Sequence, residues 1–218
     1  MATHPDEDPA RDRATGAAAQ ADVPALRAAL AGRRFDAVVI GASAGGVGAL
    51  LEILPALPAG YDRAVVAALH LPAGRQSQLA EVFRVRMALP VAEAQDKQPV
   101  DAGHVYFAGA DYHLSIETDQ TFSLSCEAPL HFARPAIDFL MTSAADAYGP
   151  RLLGILLTGA NQDGAAGLAA IHRRGGMTVV QDPAEAAAPT MPREAIRLDR
   201  PDLILPLAAI RALLLMLT

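Results

Sequence analysis

Val38–Leu50 reads "VVIGASAGGVGAL", an aliphatic run that breaks into small residues and glycines around one hydroxyl, Ser43. Val47, Leu50, Leu51 and Leu54 then recur at helical spacing, so a buried strand turns directly into a helix. The same switch repeats downstream. "RAVVAALHL" is a second strand and "RQSQLAEVFRVR" its helix, and "ALPVAEA" is a third, shorter strand. A helix from Pro135 to Ala147 precedes the strand "LLGILLTG", the helix "DGAAGLAAIHRR" and the strand "MTVVQD". A short helix near "PREAI", the short strand "DLILP" and a closing helix end the chain. Near-continuous apolar strands separated by helices predict an α/β fold, a doubly wound, mainly parallel sheet with helices on both faces. Around residues 104–126 the pattern changes to apolar–polar alternation, with turn signals at Gly109-Ala110-Asp111 and Thr118-Asp119-Gln120. That predicts a small antiparallel excursion of two or three strands attached to the parallel sheet.

The remaining chain is read around this core. The sequence has 218 residues, 52% hydrophobic and 19% charged, enough for one domain with a substantial core. A net charge of −6 with a single lysine, Lys97, argues against a general nucleic-acid binder, which needs clustered cations. Residues 1–33 read as a disordered segment with a short helix in "DVPALRAALAGRR", where Asp22 is the candidate N-cap and Val23, Leu26 and Leu30 share a side. Residues 34–218 form the domain. The N-terminus has no apolar stretch of signal-peptide type, and the C-terminal "LILPLAAIRALLLMLT" is too short to span a bilayer, so no membrane insertion is expected. The one cysteine, Cys126, fits a reducing, cytoplasmic setting and is expected to be a small, partly buried residue.

Three chemistries compete for the glycine turn. A nucleotide-hydrolase phosphate loop needs a lysine and a hydroxyl after its last glycine, and Gly46 is followed by Val47. A dinucleotide site of the short-chain dehydrogenase kind needs a tyrosine with a lysine four residues on, which none of the four tyrosines has. The second strand also ends in His70 rather than in an acid for a ribose hydroxyl. The third reading is a nucleophile elbow: Gly41-Ala42-Ser43-Ala44-Gly45 fits G-x-S-x-G, and the helix behind it offers N–H groups to an oxyanion. The five-residue pattern is weak alone. It gains force because His70 and Asp163 also stand at strand ends, where open parallel sheets collect their chemistry.

These blocks also carry a family resemblance. "IGASAGG", "LHLPAG", "VYFAGADYHL", "RPAIDFLMTSAA", "GILLTGANQDGAAGL" and "MPREAI" occur in the order seen in the catalytic domain of CheB, the protein-glutamate methylesterase of bacterial chemotaxis. The chain resembles that family from about Phe35 to its C-terminus. The resemblance implies a Ser–His–Asp triad of Ser43, His70 and Asp163, with backbone N–H groups of Ala44 and Ala160 as the oxyanion site. It implies hydrolysis of glutamyl methyl esters on chemoreceptor helices, with methanol released, and deamidation of certain glutamines, without metal or organic cofactor. The implied partners are a methylated chemoreceptor or receptor-like protein and, in a signalling pathway, a kinase or a separate receiver protein. Three features depart from the family pattern: Ala44 stands where Thr is frequent, Ala160 where Met is frequent, and Gln162 alters the loop before the aspartate. Family members usually carry a receiver domain ahead of the catalytic one. The residues ahead of Phe35 are too few for one, so control by phosphorylation within the chain is not expected.

Each residue also has a plainer role available. Ser43 could cap the following helix, His70 could be a satisfied polar residue, and Asp163 could cap "GAAGLAAIHRR". Arg134 lines the substrate cleft or forms an ion pair, and His113 approaches the cleft or is structural. His104, His131 and His172 read as loop or surface residues, and no cluster has metal-ligand spacing. Two rival functions keep the fold: a non-catalytic signalling module, and an esterase acting on another methylated protein.

Overall fold

The computed structural model describes residues 23–70 and 77–217. The expected disordered start and the Asp22 cap lie outside the described residues. Helix α1 (Val23–Leu30) leads in, burying Leu26. Strand β1 (Ala37–Ala42), helix α2 (Gly46–Ile53) and strand β2 (Ala64–Leu69) follow, then α3 (Leu79–Arg84), β3 (Val91–Glu93) and β4 (Val105–Phe107). Strands β5 (His113–Ile116) and β6 (Phe122–Ser125) precede helix α4 (Ile137–Tyr148). The second half runs β7 (Leu152–Leu156), α5 (Ala165–Arg173), β8 (Met177–Gln181), α6 (Thr190–Leu198), β9 (Leu203–Leu205) and α7 (Leu207–Leu215).

Seven strands form one parallel sheet in the order β3-β4-β2-β1-β7-β8-β9. The chain works outward from β1 through β2 to one edge, then returns beside β1 with β7 and works outward to the other. The reversal leaves a crevice at the carboxyl ends of β1 and β7, the place where open α/β sheets bind ligands. Both faces are covered, which is why the central strands read as unbroken apolar runs. Val38, Ile40 and Ala42 face the core built with α2, α3 and α7. Ala37 and Val39 face the opposite core, made with α4, α5 and α6.

The antiparallel excursion has two strands, within the two or three expected. Strands β5 and β6 pair antiparallel, from His113 with Ser125 to Ile116 with Phe122. Val105–Phe107, read with them, instead joins the parallel sheet between β3 and β2. Its three residues are all buried, and so short a run contains too few positions for period two to be read reliably. Leu114, Ile116 and Phe122 of the hairpin pack with Leu140 and Met141 of α4 in one cluster, extending that core beyond the sheet.

Candidate active site

Three strand ends meet at the crevice. In-register pairing of Ala42 with Leu69 puts Ser43 and His70 one residue beyond adjacent strands, and the His70 N–H donates to the Ala42 carbonyl at 3.3 Å. Ser43 is half-buried, and its N–H donates to the Thr158 carbonyl just past β7 at 2.9 Å. The turn into α2 is closed by main chain: Gly46 N–H donates to Ser43 O at 2.8 Å, and no side chain caps the helix. The capping role open to Ser43 is therefore not the one its side chain takes. Gly45, the N-cap, has φ of 79°, and a Cβ there would run into Ala187, so only glycine fits this turn.

Thr158 locks the turn. Its hydroxyl donates to the Ala44 carbonyl at 2.8 Å and accepts the Ala188 N–H at 2.8 Å, while its N–H donates to Gln181 Oε1 at 2.8 Å. Ala44 and Ala160 are exposed, and among the described residues neither N–H has an acceptor. Nothing in the sequence marks Thr158 or Gln181, because a hydroxyl just past one apolar strand and an amide at the end of another carry no spacing signal.

Asp163 is fully buried and accepts three N–H groups. His70 Nε2 lies 2.6 Å from Oδ2, the Ile137 N–H donates to the same oxygen at 2.7 Å, and the Asp138 N–H donates to Oδ1 at 3.0 Å. The aspartate thus caps α4 from another segment and does not cap its own helix α5, whose N-cap is Gly164. Burial alone would raise its pKa, yet the His70 and backbone hydrogen bonds outweigh that and hold it below the ordinary value. An ionised carboxylate only accepts, so the His70 proton sits on Nε2 and Nδ1 is left as the basic nitrogen. The approach of α4 depends on Gly41, where a Cβ would collide with Ile137 and Leu156.

Asp138 performs the reciprocal service, its Oδ1 accepting the Gly167 N–H in the first turn of α5 at 2.7 Å. Burial raises its pKa, and the neighbouring Asp163 charge adds to the effect. His131 Nε2 stands 3.5 Å from Asp138 Oδ2, so this histidine is a loop residue that reaches the site's edge. Atoms of His131, Asp138 and Asp163 able to ligate a metal lie within 4.8 Å of one another, a grouping that packing makes and sequence spacing does not announce.

The other candidates are elsewhere. Arg134 Nη1 donates to the carbonyls of Cys126 and Glu127, at 3.1 and 3.0 Å, rather than to a carboxylate. His113 is fully buried: Nδ1 accepts the Ala136 N–H at 3.1 Å, Nε2 faces the Ala128 carbonyl at 3.2 Å, and the ring stacks on Phe139. Cys126 is exposed rather than partly buried, because it follows the last residue of β6 and has left the hairpin's packed face. His104 is half-buried and faces the Ala102 carbonyl, and His172 is exposed and paired with Asp199.

Comparison with known proteins gives the constellation its context. The model of the CheB methylesterase family matches residues 38–214. The chain belongs to the CheB methylesterase family. A relative from Bordetella parapertussis, a protein-glutamate methylesterase/protein-glutamine glutaminase, is 40% identical over 177 residues, covering 79% of this chain and 50% of the relative. A Leptospira interrogans protein whose designation carries the same two activity names is 40% identical over 183 residues, covering 84% of this chain and 95% of that one. The crystal structure of the Thermotoga maritima CheB methylesterase catalytic domain superposes with a TM-score of 0.80 at 32% identity, over 84% of this chain and 99% of that one. The chain therefore spans nearly all of one CheB-type relative and half of another. Among the described residues no helix is long and apolar enough to cross a membrane.

Proposed function

We propose that the protein is a cytoplasmic serine hydrolase that demethylates glutamyl methyl esters on chemoreceptor-like signalling proteins and deamidates glutamines at equivalent positions. The observation that carries this reading is the 2.6 Å His70–Asp163 hydrogen bond beside Ser43, at the ends of neighbouring strands. The names of the relatives supply the substrate class.

In this reading His70 Nδ1 takes the proton from Ser43 Oγ as the oxygen adds to the ester carbonyl. Asp163 holds the ring in the required tautomer and stabilises the imidazolium that forms. The N–H groups of Ala44 and Ala160 receive the oxyanion, aided by the positive end of α2. The C–O bond to methoxide then breaks, the imidazolium protonates it, and methanol leaves. Water attacks the acyl-serine with the same base, giving glutamate and free serine. With a glutamine side chain the leaving group is ammonia. The changes at Ala44 and Ala160 leave main-chain donors intact, which is what the oxyanion requires.

The test is Ser43→Ala. Methanol release from a methylated chemoreceptor fragment should fall by about four to six orders of magnitude with the fold unchanged by circular dichroism. Equal release by wild type and variant would reject the mechanism. Receptor binding without any turnover by the wild type would favour the non-catalytic module.

A further inference from the structure

Between β6 and α4 the chain makes a feature that the chemistry above does not use. Leu130 and Ala133 exchange both main-chain hydrogen bonds, at 3.1 and 2.9 Å, closing a two-residue turn over His131 and Phe132. Both central residues have positive φ, 50° and 62°, the type I′ geometry that normally selects Asn-Gly. A histidine and a phenylalanine there are strained by their Cβ atoms. The Phe132 side chain gains nothing in return within the fold, since the residue is 105% exposed.

A loose loop would relax such strain, but this one is firmly mounted. Arg134 binds the carbonyls of Cys126 and Glu127 at its base, and the buried His113 bridges Ala128 to Ala136. At the tip His131 faces Asp138, and Gln162 Nε2 stands 3.5 Å from its Nδ1. Gln162 adjoins Asp163, so the rigid turn carries its exposed ring beside the catalytic loop. Leu130 and His131 also line a cavity of about 590 Å³ that runs along α4 past Phe139 and Thr142.

We propose that Phe132 is a preorganised docking residue that seats in an apolar recess of the protein substrate next to the modified glutamate. This rests on the reading of the site as a protein-glutamate esterase. One ester side chain offers little surface, so affinity for a folded substrate must come from contacts around it, and buried aromatic anchors dominate such contacts. A ring on a fixed mount loses little freedom on binding.

The experiment uses Ser43→Ala protein, which binds without turnover, and a soluble methylated chemoreceptor signalling fragment as the probe. Adding Phe132→Ala should raise the dissociation constant about ten-fold, and Phe132→Trp should restore it. Phe132→Asn, compatible with positive φ, should weaken binding equally while the melting temperature holds or rises. An unchanged dissociation constant overturns the proposal. So does a concentration-dependent dimer that Phe132→Ala abolishes while fragment binding stays intact, since the ring would then serve self-association. Hydrolysis by the otherwise wild-type chain is measured separately. Its absence, with binding still dependent on Phe132, would remove the esterase reading and leave the docking residue in place.

Discussion

Two histidine–aspartate pairs stand side by side in this protein, and they behave differently. His70–Asp163 is separated by 2.6 Å with the carboxylate fully buried, whereas His131–Asp138 is separated by 3.5 Å at the rim. The pairs touch, because the Asp138 N–H donates to Asp163 Oδ1. Asp163 is held ionised by converging donors from His70 and the start of α4, while Asp138 is penalised by burial and by its neighbour's charge. The difference teaches that three short N–H donors outweigh the burial of a carboxylate, whereas one backbone N–H and a long histidine contact do not.

Among changes to the two pairs, the largest effect should come from Asp163→Asn. The amide removes the demand for a proton on Nε2, so the imidazole loses its enforced tautomer, and turnover should fall by roughly three to four orders of magnitude in methanol-release assays. A loss below ten-fold would mean that His70 is oriented without Asp163. A second variant attacks the donors instead. Gly41→Ala forces Ile137 outward, and with it the N–H groups that hold Asp163. It should cost about 1–3 kcal/mol in urea unfolding and lower turnover as well. Lost stability with full turnover would separate the α4 cap from the chemistry.

The strand ends were legible in the sequence because they combine two strong signals, apolar runs of strand length and small residues at the turn. Ser43, His70 and Asp163 could be nominated on that basis, and the family blocks sharpened the choice. The capping geometry was not legible. Nothing local tells that Asp163 caps α4 rather than its own helix, since its donors lie 25 and 26 residues away. His131 reads as a loop or surface residue because nothing in the sequence around it shows that Asp138, in the first turn of α4, will face it. Val105–Phe107 reads as part of the antiparallel excursion because three residues cannot show whether a pairing strand is parallel.

Acid titration contrasts the two carboxylates with a smaller effect. Asp163 binds its proton more weakly when folded, so its stabilisation is complete above the unfolded carboxylate pKa and is lost as pH falls through the lower folded value. Asp138 has the opposite sign. Its raised pKa means that stability declines as pH rises from the unfolded value through the folded one. Asp138→Asn keeps an oxygen for Gly167 and deletes the buried charge, so it should leave stability at pH 7 equal or higher. It should also flatten the stability profile just above the ordinary carboxylate range. Unfolding curves at several pH values measure both, and a marked destabilisation at pH 7 would show that the Asp138 charge is needed.

The smallest expected change sharpens the contrast most. His131 is partly exposed, its contact with Asp138 is long, and solvent screens such a pair, so His131→Ala should cost less than about 1 kcal/mol. Turnover of a small activated ester should stay within about three-fold of wild type, because the proposed base, His70, and its carboxylate are untouched. If His131→Ala instead lowered turnover as severely as Asp163→Asn, the two pairs would be one proton network sharing Asp163, and the division between a proposed catalytic pair and a rim contact would be wrong.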